Sequence, residues 1–308
     1  MRRVIALSLL VVVAFFGCEK AKKEPTHLLS FGQQGNKDGN FIWPRGIATD
    51  SQGNLYVADF GNNRVQKFDT AHKFVWKFGE YGNKDGQLMG PSGIAVDAAG
   101  NIYVTDGDGR RVQKFSPDGK FLQRFGEADP GQIQPEFPPM VAVDSAGNVY
   151  MTSPKYHCVI KFGPDGKELA RWGKMGTEKG QFMSPTGIAV TPDGSTIYVS
   201  DTLNHRIVKM DSLGNVLKLF GKQGVGGGEF SRPMGLALDQ AGNIYVADSV
   251  NNRVQKLSPK GEFIVQWGIK GTADGEFRKP ISVALDPAGN IYVCDNENNR
   301  IQVFKPGK

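Results

Sequence analysis

Pro91-Ser92-Gly93-Ile94-Ala95-Val96-Asp97, then Gly100-Asn101-Ile102-Tyr103-Val104-Thr105-Asp106, then Arg111-Val112-Gln113-Lys114-Phe115, closing on Phe125-Gly126, is the stretch that decides the fold. It holds four short strand signals: residues 93–97 (a), 101–105 (b), 111–115 (c) and 121–125 (d). β-branched and aromatic residues fill them, and turn formers such as Ala98-Ala99-Gly100 and Pro117-Asp118-Gly119 separate them. The unit recurs with leading prolines at Pro44, Pro91, Pro138, Pro185, Pro233 and Pro280, a period of about 47 residues. One step is longer by one residue, in the turn near Ser195. Tandem units of four antiparallel strands predict an all-β, six-bladed β-propeller of four-stranded blades, in which stacking buries the blade faces.

Two columns support a crowded axis. Alanine stands at one inner position in every copy: Ala48, Ala95, Ala142, Ala189, Ala237 and Ala284. Glycine precedes it in four copies: Gly46, Gly93, Gly187 and Gly235. The last copy ends with its third strand, residues 300–304, so its fourth is missing. Residues 27–32, ahead of the first full copy, have the pattern of a fourth strand. The N-terminal strand is therefore expected to complete blade 6 and to remove the exposed edges.

Composition bounds the rest. Of 308 residues, 40 are Gly and 17 Pro, which suits many turns, and the 39% hydrophobic content excludes wholesale disorder. The formal charge of +6, with no run of basic residues, argues against a nucleic-acid groove. At the N-terminus, Arg2-Arg3 precedes the apolar stretch 4–16, which is too short to span a bilayer as a mature helix. It ends in Phe15-Phe16-Gly17-Cys18, which resembles a bacterial lipobox. Residues 1–17 are read as a lipoprotein signal peptide, 18–26 as the lipidated Cys18 and tether, and 27–308 as the propeller. The expected location is the cell envelope, with the chain exported and lipid-anchored, at the outer rather than the inner membrane because Glu19 follows Cys18. Cys158 and Cys294 fall in blades 3 and 6, too far apart to pair, and read as small, partly buried side chains.

Asn62-Asn63-Arg64-Val65-Gln66-Lys67-Phe68 and its equivalents, with segments such as Gly53-Asn54-Leu55-Tyr56-Val57, resemble the NHL repeat. The resemblance runs from Leu28 to about Phe304. It implies the propeller but no single function, because NHL propellers bind RNA, catalyse lyase reactions, sense ligands or dock proteins.

What repeats is scaffold, and what varies is a candidate site. Asp59, Asp106, Asp201, Asp248 and Asp295 end strand b, and Arg64, Arg111, Arg206, Arg253 and Arg300 open strand c five residues later. Their recurrence points to a charge-assisted clamp of the b–c turn rather than to acid–base chemistry. Blade 3 has Ser153 and Cys158 instead, losing both partners together. The residues flanking each leading proline do not repeat. In blades 5, 6 and 1 they include Arg232, Arg278, Lys279, Arg45 and Trp43, a basic arc with one aromatic at the channel mouth. This is the candidate ligand-binding set, suited to a small anion, a glycan or an envelope protein. Met140, in the glycine column of blade 3, is a candidate to narrow that mouth.

His157 and His205 share a column on adjacent blades and are the weak candidates for a metal, but no third ligand lies near, so none is expected. The amidating lyases with an NHL-type propeller bind zinc through several histidines, and the propeller lactonases hold calcium with Glu, Asn and Asp at the mouth. Four histidines, and Glu136 as the lone carboxylate beside the leading prolines, carry over neither set. No Ser-His-Asp arrangement is evident from the periodicity. The sequence is thus read as a non-catalytic ligand- or protein-binding, scaffolding lipoprotein. It is expected to be a monomeric ring without cofactor or nucleic-acid partner, touching the membrane only through its anchor. The alternative is a propeller lyase or hydrolase, streptogramin-lyase-like or lactonase-like, with an unrecognised site.

Overall fold

A computed structural model describes residues 23–106, 111–126 and 139–307. Six four-stranded antiparallel sheets are present, and in five of them the strands follow chain order. Blade 1 comprises Pro44–Thr49, Leu55–Asp59, Arg64–Phe68 and Phe74–Phe78 as strands a to d, and the other blades repeat it. In blade 6, strands Pro280–Leu285, Ile291–Asp295 and Arg300–Lys305 are completed by Thr26–Phe31. The closing strand pairs antiparallel with strand c, Thr26 opposite Lys305 and Phe31 opposite Ile301. The expected ring closure is therefore what the chain forms.

The columns show why the blades stack. Strand b is buried throughout in blades 1, 2, 5 and 6, and its tyrosines Tyr56, Tyr103, Tyr150, Tyr245 and Tyr292 are among the most enclosed side chains. At the glycine column a Cβ would collide with the next blade: on Gly46 with the carbonyl of Ser92, on Gly187 with that of Met234. Inner strands thus approach too closely for any larger residue in those blades. Met140, buried, packs in one apolar cluster with Ile188, Met234 and Ile281 of blades 4, 5 and 6.

Strand b also reaches across four of the six gaps. Thr105 Oγ1 donates to the Pro139 carbonyl at 2.8 Å, Thr152 Oγ1 to Thr186 at 2.5 Å, and Ser200 Oγ to Met234 at 2.5 Å. Cys294 Sγ, in the same column, lies 3.0 Å from the carbonyl of Pro44. Cys294 is thus a small interblade donor, and burial pushes its thiol far above the ordinary range. Cys158, also buried and free, takes the arginine place in blade 3.

The Asp–Arg pairs clamp more than a turn. Asp59 Oδ2 accepts from Arg64 Nε at 2.8 Å, Asn62 Nδ2 at 2.8 Å and Gln66 Nε2 at 3.1 Å, and its Oδ1 takes the Ile42 N–H at 2.8 Å. Arg64 Nη2 donates to the carbonyls of Lys37 and Asn40. The long d–a loop is thereby tied to strands b and c. The same pattern holds at Asp106, Asp201, Asp248 and Asp295. Burial pushes the Asp59 and Asp201 carboxyls up, and the backbone N–H donors and the arginines oppose it.

Two predictions follow from this geometry. Asp248→Ala strands Arg253, Gln255 and the Ser231 N–H in a buried site and should cost about 3–5 kcal/mol in urea unfolding. Phe31, half-buried on the closing strand, lies 5.1 Å from the Phe68 ring and 6.4 Å from the Phe41 ring in blade 1. Phe31→Ala should therefore cost about 2–3 kcal/mol by the same measurement, and a loss near zero would show that the seam contributes little.

Candidate functional site

The d–a and b–c connections meet at one end of the channel, and their backbone is held by a second ring of contacts. Trp43, Ser184, Arg232 and Lys279, each just before a leading proline, have φ of 50–55°, the left-handed region. Residues before proline avoid the right-handed helical region, and bulky ones rarely go left-handed, so a partner must fix them. That partner is the side chain before strand c of the preceding blade. The Trp43 N–H donates to Asn299 Oδ1 at 2.8 Å, Gly90 to Asn63 at 2.9 Å and Lys279 to Asn252 at 3.0 Å. In the two remaining described junctions histidine replaces asparagine: the Ser184 N–H donates to His157 Nδ1 at 3.0 Å and the Arg232 N–H to His205 Nδ1 at 3.1 Å. The weak metal candidates are therefore interblade acceptors. Among the described residues no group of three or more His, Cys, Asp or Glu is placed to hold a metal ion.

The side chains facing the mouth differ from blade to blade. Arg45 is buried, with its guanidinium carbon 3.4 Å from the Phe60 ring centroid and Nη1 3.2 Å from Ser92 Oγ on the next blade. Its column-mates Ser92, Thr186, Met234 and Ile281 are uncharged and buried. Trp43, beside it, is 55% exposed. Arg278 is exposed, 3.8 Å from Glu297. Lys279 and Arg232 are part-buried. In the first b–c position, Thr202 Oγ1 meets Thr186 Oγ1 at 2.7 Å and the carbonyl of Pro233 at 2.8 Å, and Asn296 Nδ2 donates to Pro44 at 2.9 Å. Ser249 Oγ, in the same column, is buried with no hydrogen-bond partner. Glu136 and Phe137 lie outside the described residues, as does Cys18.

Two groupings escaped sequence reading. A cavity of about 660 Å³ opens at the opposite end, among the a–b turns of blades 1, 2, 5 and 6, rimmed by Asp50, Asp97, Asp239 and Asp286. These carboxylates are engaged in their own turns. Asp50 accepts the N–H groups of Gln52 and Asn54, the Asn54 amide and the Tyr56 hydroxyl. Burial, then the Asp50 charge, drives the Tyr56 hydroxyl's pKa well up. At the seam, His27 Nε2 lies 3.0 Å from Ser30 Oγ, which donates to Asp274 Oδ1 at 2.7 Å. Ser30 gives its proton to the aspartate, not to the imidazole. The trio is wired as a latch between the closing strand and a d–a loop, not as a nucleophile relay.

Comparison with known proteins agrees with this architecture. Residues 41–68, 88–115 and 277–304 match the NHL repeat, and residues 172–274 match the SMP-30/Gluconolactonase/LRE-like region. The chain is a six-bladed β-propeller. More particularly, it is one that carries NHL repeats together with an SMP-30/gluconolactonase/LRE-like region.

Similar solved structures include a streptogramin B lyase, with a TM-score of 0.62 and 14% identity over 91% of this chain and 98% of that one. XC5397 from Xanthomonas campestris, a gluconolactonase, gives 0.65 and 17% over 94% and 99%. A catalytically inactive virginiamycin B lyase variant from Staphylococcus aureus with quinupristin gives 0.60 and 13% over 92% and 98%. At such identities the likeness shows the fold. Protein lin-41 of Caenorhabditis elegans is 46% identical over 59 residues and E3 ubiquitin-protein ligase TRIM71 of Bos taurus 44% over 46 residues. The matched segments are 19% and 15% of this chain and 5% of each relative.

These findings correct the expectation of a non-catalytic binding or scaffolding lipoprotein. The match of residues 172–274 to the SMP-30/Gluconolactonase/LRE-like region favours the enzymatic alternative. The sequence reading went astray because a propeller mouth collects single residues from six blades. No local motif marks such a set.

The histidine junction is testable by pH. Burial, then Arg232, lowers the His205 pKa, and burial lowers that of His72. A histidine whose folded pKa lies below its unfolded value stabilises the fold above the unfolded pKa, and that stability is lost as pH falls through the folded value. His205→Asn keeps the acceptor and removes the titration. It should flatten part of the fall in Tm between roughly pH 7 and pH 5, and an unchanged slope would acquit His205.

Proposed function

We propose that the protein is a lyase or hydrolase of a small molecule, acting at the channel mouth formed by the d–a and b–c connections. The observation that carries this reading is the SMP-30/gluconolactonase/LRE-like match over residues 172–274. That span supplies Ser184, Thr186, Thr202, Arg232, Met234 and Ser249 to the mouth, all at positions that differ from blade to blade. A constant scaffold with a variable polar rim is how one fold hosts different chemistries.

Within this reading Arg45 is the principal substrate-holding group. It is a buried cation at the rim, preset by Phe60 and Ser92, and it would hold a carboxylate or a developing oxyanion with little reorganisation. Lys279, Arg278 and Arg232 raise the local positive potential, and Trp43 offers a face for an apolar part of the substrate. The described carboxylates and histidines do not assemble a metal site.

The test is an activity screen of the purified protein on glucono-lactone and quinupristin. Acid release and mass change are followed, with and without added magnesium, calcium or zinc. Turnover of one of them is expected, and Arg45→Gln should reduce kcat/KM by about tenfold or more at unchanged Tm. Absence of turnover on both under every metal condition would overturn the proposal.

A further inference from the structure

The closing strand fixes where everything upstream of it leaves the ring. Thr26 pairs with Lys305 and Phe31 with Ile301, so the strand runs from the c–d end of blade 6 toward its b–c end. Lys23 stays at the c–d end, where its carbonyl abuts Gly307. The upstream chain therefore emerges on the face of the a–b and c–d turns, opposite the channel mouth.

That upstream chain carries the apolar run 4–16 and Cys18. Because Lys23 already lies against Gly307, the stretch from Cys18 to the ring is five residues, which at full extension reach roughly 18 Å. A chain attached to a bilayer through Cys18 could not hold the opposite face against it, because about 25 Å of strand and turn lies between the two faces. Charge does not set the direction: Lys73, Lys260 and Lys305 are exposed on this face, but Lys120 and Lys167 are paired with Asp118 and Asp165 at 2.8 and 3.3 Å, and Asp50, Asp97, Asp239 and Asp286 rim its cavity. What sets it is the exit of the chain at Lys23 and the short stretch from there to Cys18.

We infer that the protein lies on a bilayer surface, anchored through Cys18, with its a–b and c–d turn face toward the lipid and its channel mouth toward the aqueous side. The inference does not depend on the proposed reaction. It holds for any ligand that uses the mouth, and it leaves a soluble ligand unobstructed access.

The anchoring and the direction are measured together. Cys158 and Cys294 are buried, so an introduced cysteine can be labelled selectively. The full chain, purified from membranes, is labelled at Lys120→Cys on a c–d turn or at Val250→Cys on a b–c connection. Each is incorporated in phosphatidylglycerol–phosphatidylethanolamine vesicles carrying a headgroup acceptor dye. Energy transfer should be several-fold stronger from position 120 than from position 250. Equal or reversed transfer would overturn the orientation, and failure of the full chain to float with vesicles would overturn the anchoring. Catalytic turnover plays no part in either readout.

Discussion

A buried carboxylate at the end of strand b organises this ring. In each of five blades it gathers an arginine and a backbone N–H from a loop 17 or 18 residues earlier, in four of them an asparagine, and in four a glutamine. The d–a loops are long and rich in glycine, so their own sequence supplies little order. The aspartate supplies it from outside, through donors that would otherwise be unpaired in a region closed to water. The left-handed residues before the prolines, and so the mouth itself, are positioned by the loops that this carboxylate secures.

Periodicity made most of the architecture readable. A constant step exposes columns, and a column of alanine or glycine speaks of crowding, as Gly46 and Gly187 confirm. The missing last strand and the spare first one announced their pairing. The roles that stayed hidden are those in which a side chain meets backbone across a blade junction. His157 and His205 looked like potential ligands because nothing in their own blade explains them. Their partners are the N–H groups of Ser184 and Arg232, and any residue supplies an N–H. Arg45 stood out as a charge, but its stacking on Phe60 joins two columns whose residue types change from blade to blade, as Thr186 and Thr202 do in blade 4. Likewise His27, Ser30 and Asp274 meet only because the ends of the chain do.

Repetition commits the buried acids to the scaffold, at the strand-b clamps and the a–b turns, so a count of acidic residues overstates the material for chemistry. What remains for a site is individual: one guanidinium, two threonines, a solitary serine hydroxyl and an exposed indole. Such a set carries no signature in a linear scan. It acquires meaning only when six connections are brought round one axis.

The shared last blade also has a temporal side. Residues 26–31 are made first, yet their partner strand ends at Lys305, so the first strand waits through synthesis of the whole chain with its edge unsatisfied. Few pairings have higher contact order, and such pairings form late. During that interval the waiting strand can equally enter the open sixth blade of a sister molecule. The circle therefore carries a built-in hazard of strand exchange at high concentration. The His27–Ser30–Asp274 latch takes the place held by the Lys77–Asp38 and Arg124–Asp85 pairs in blades 1 and 2, and here it would favour closure on the same chain.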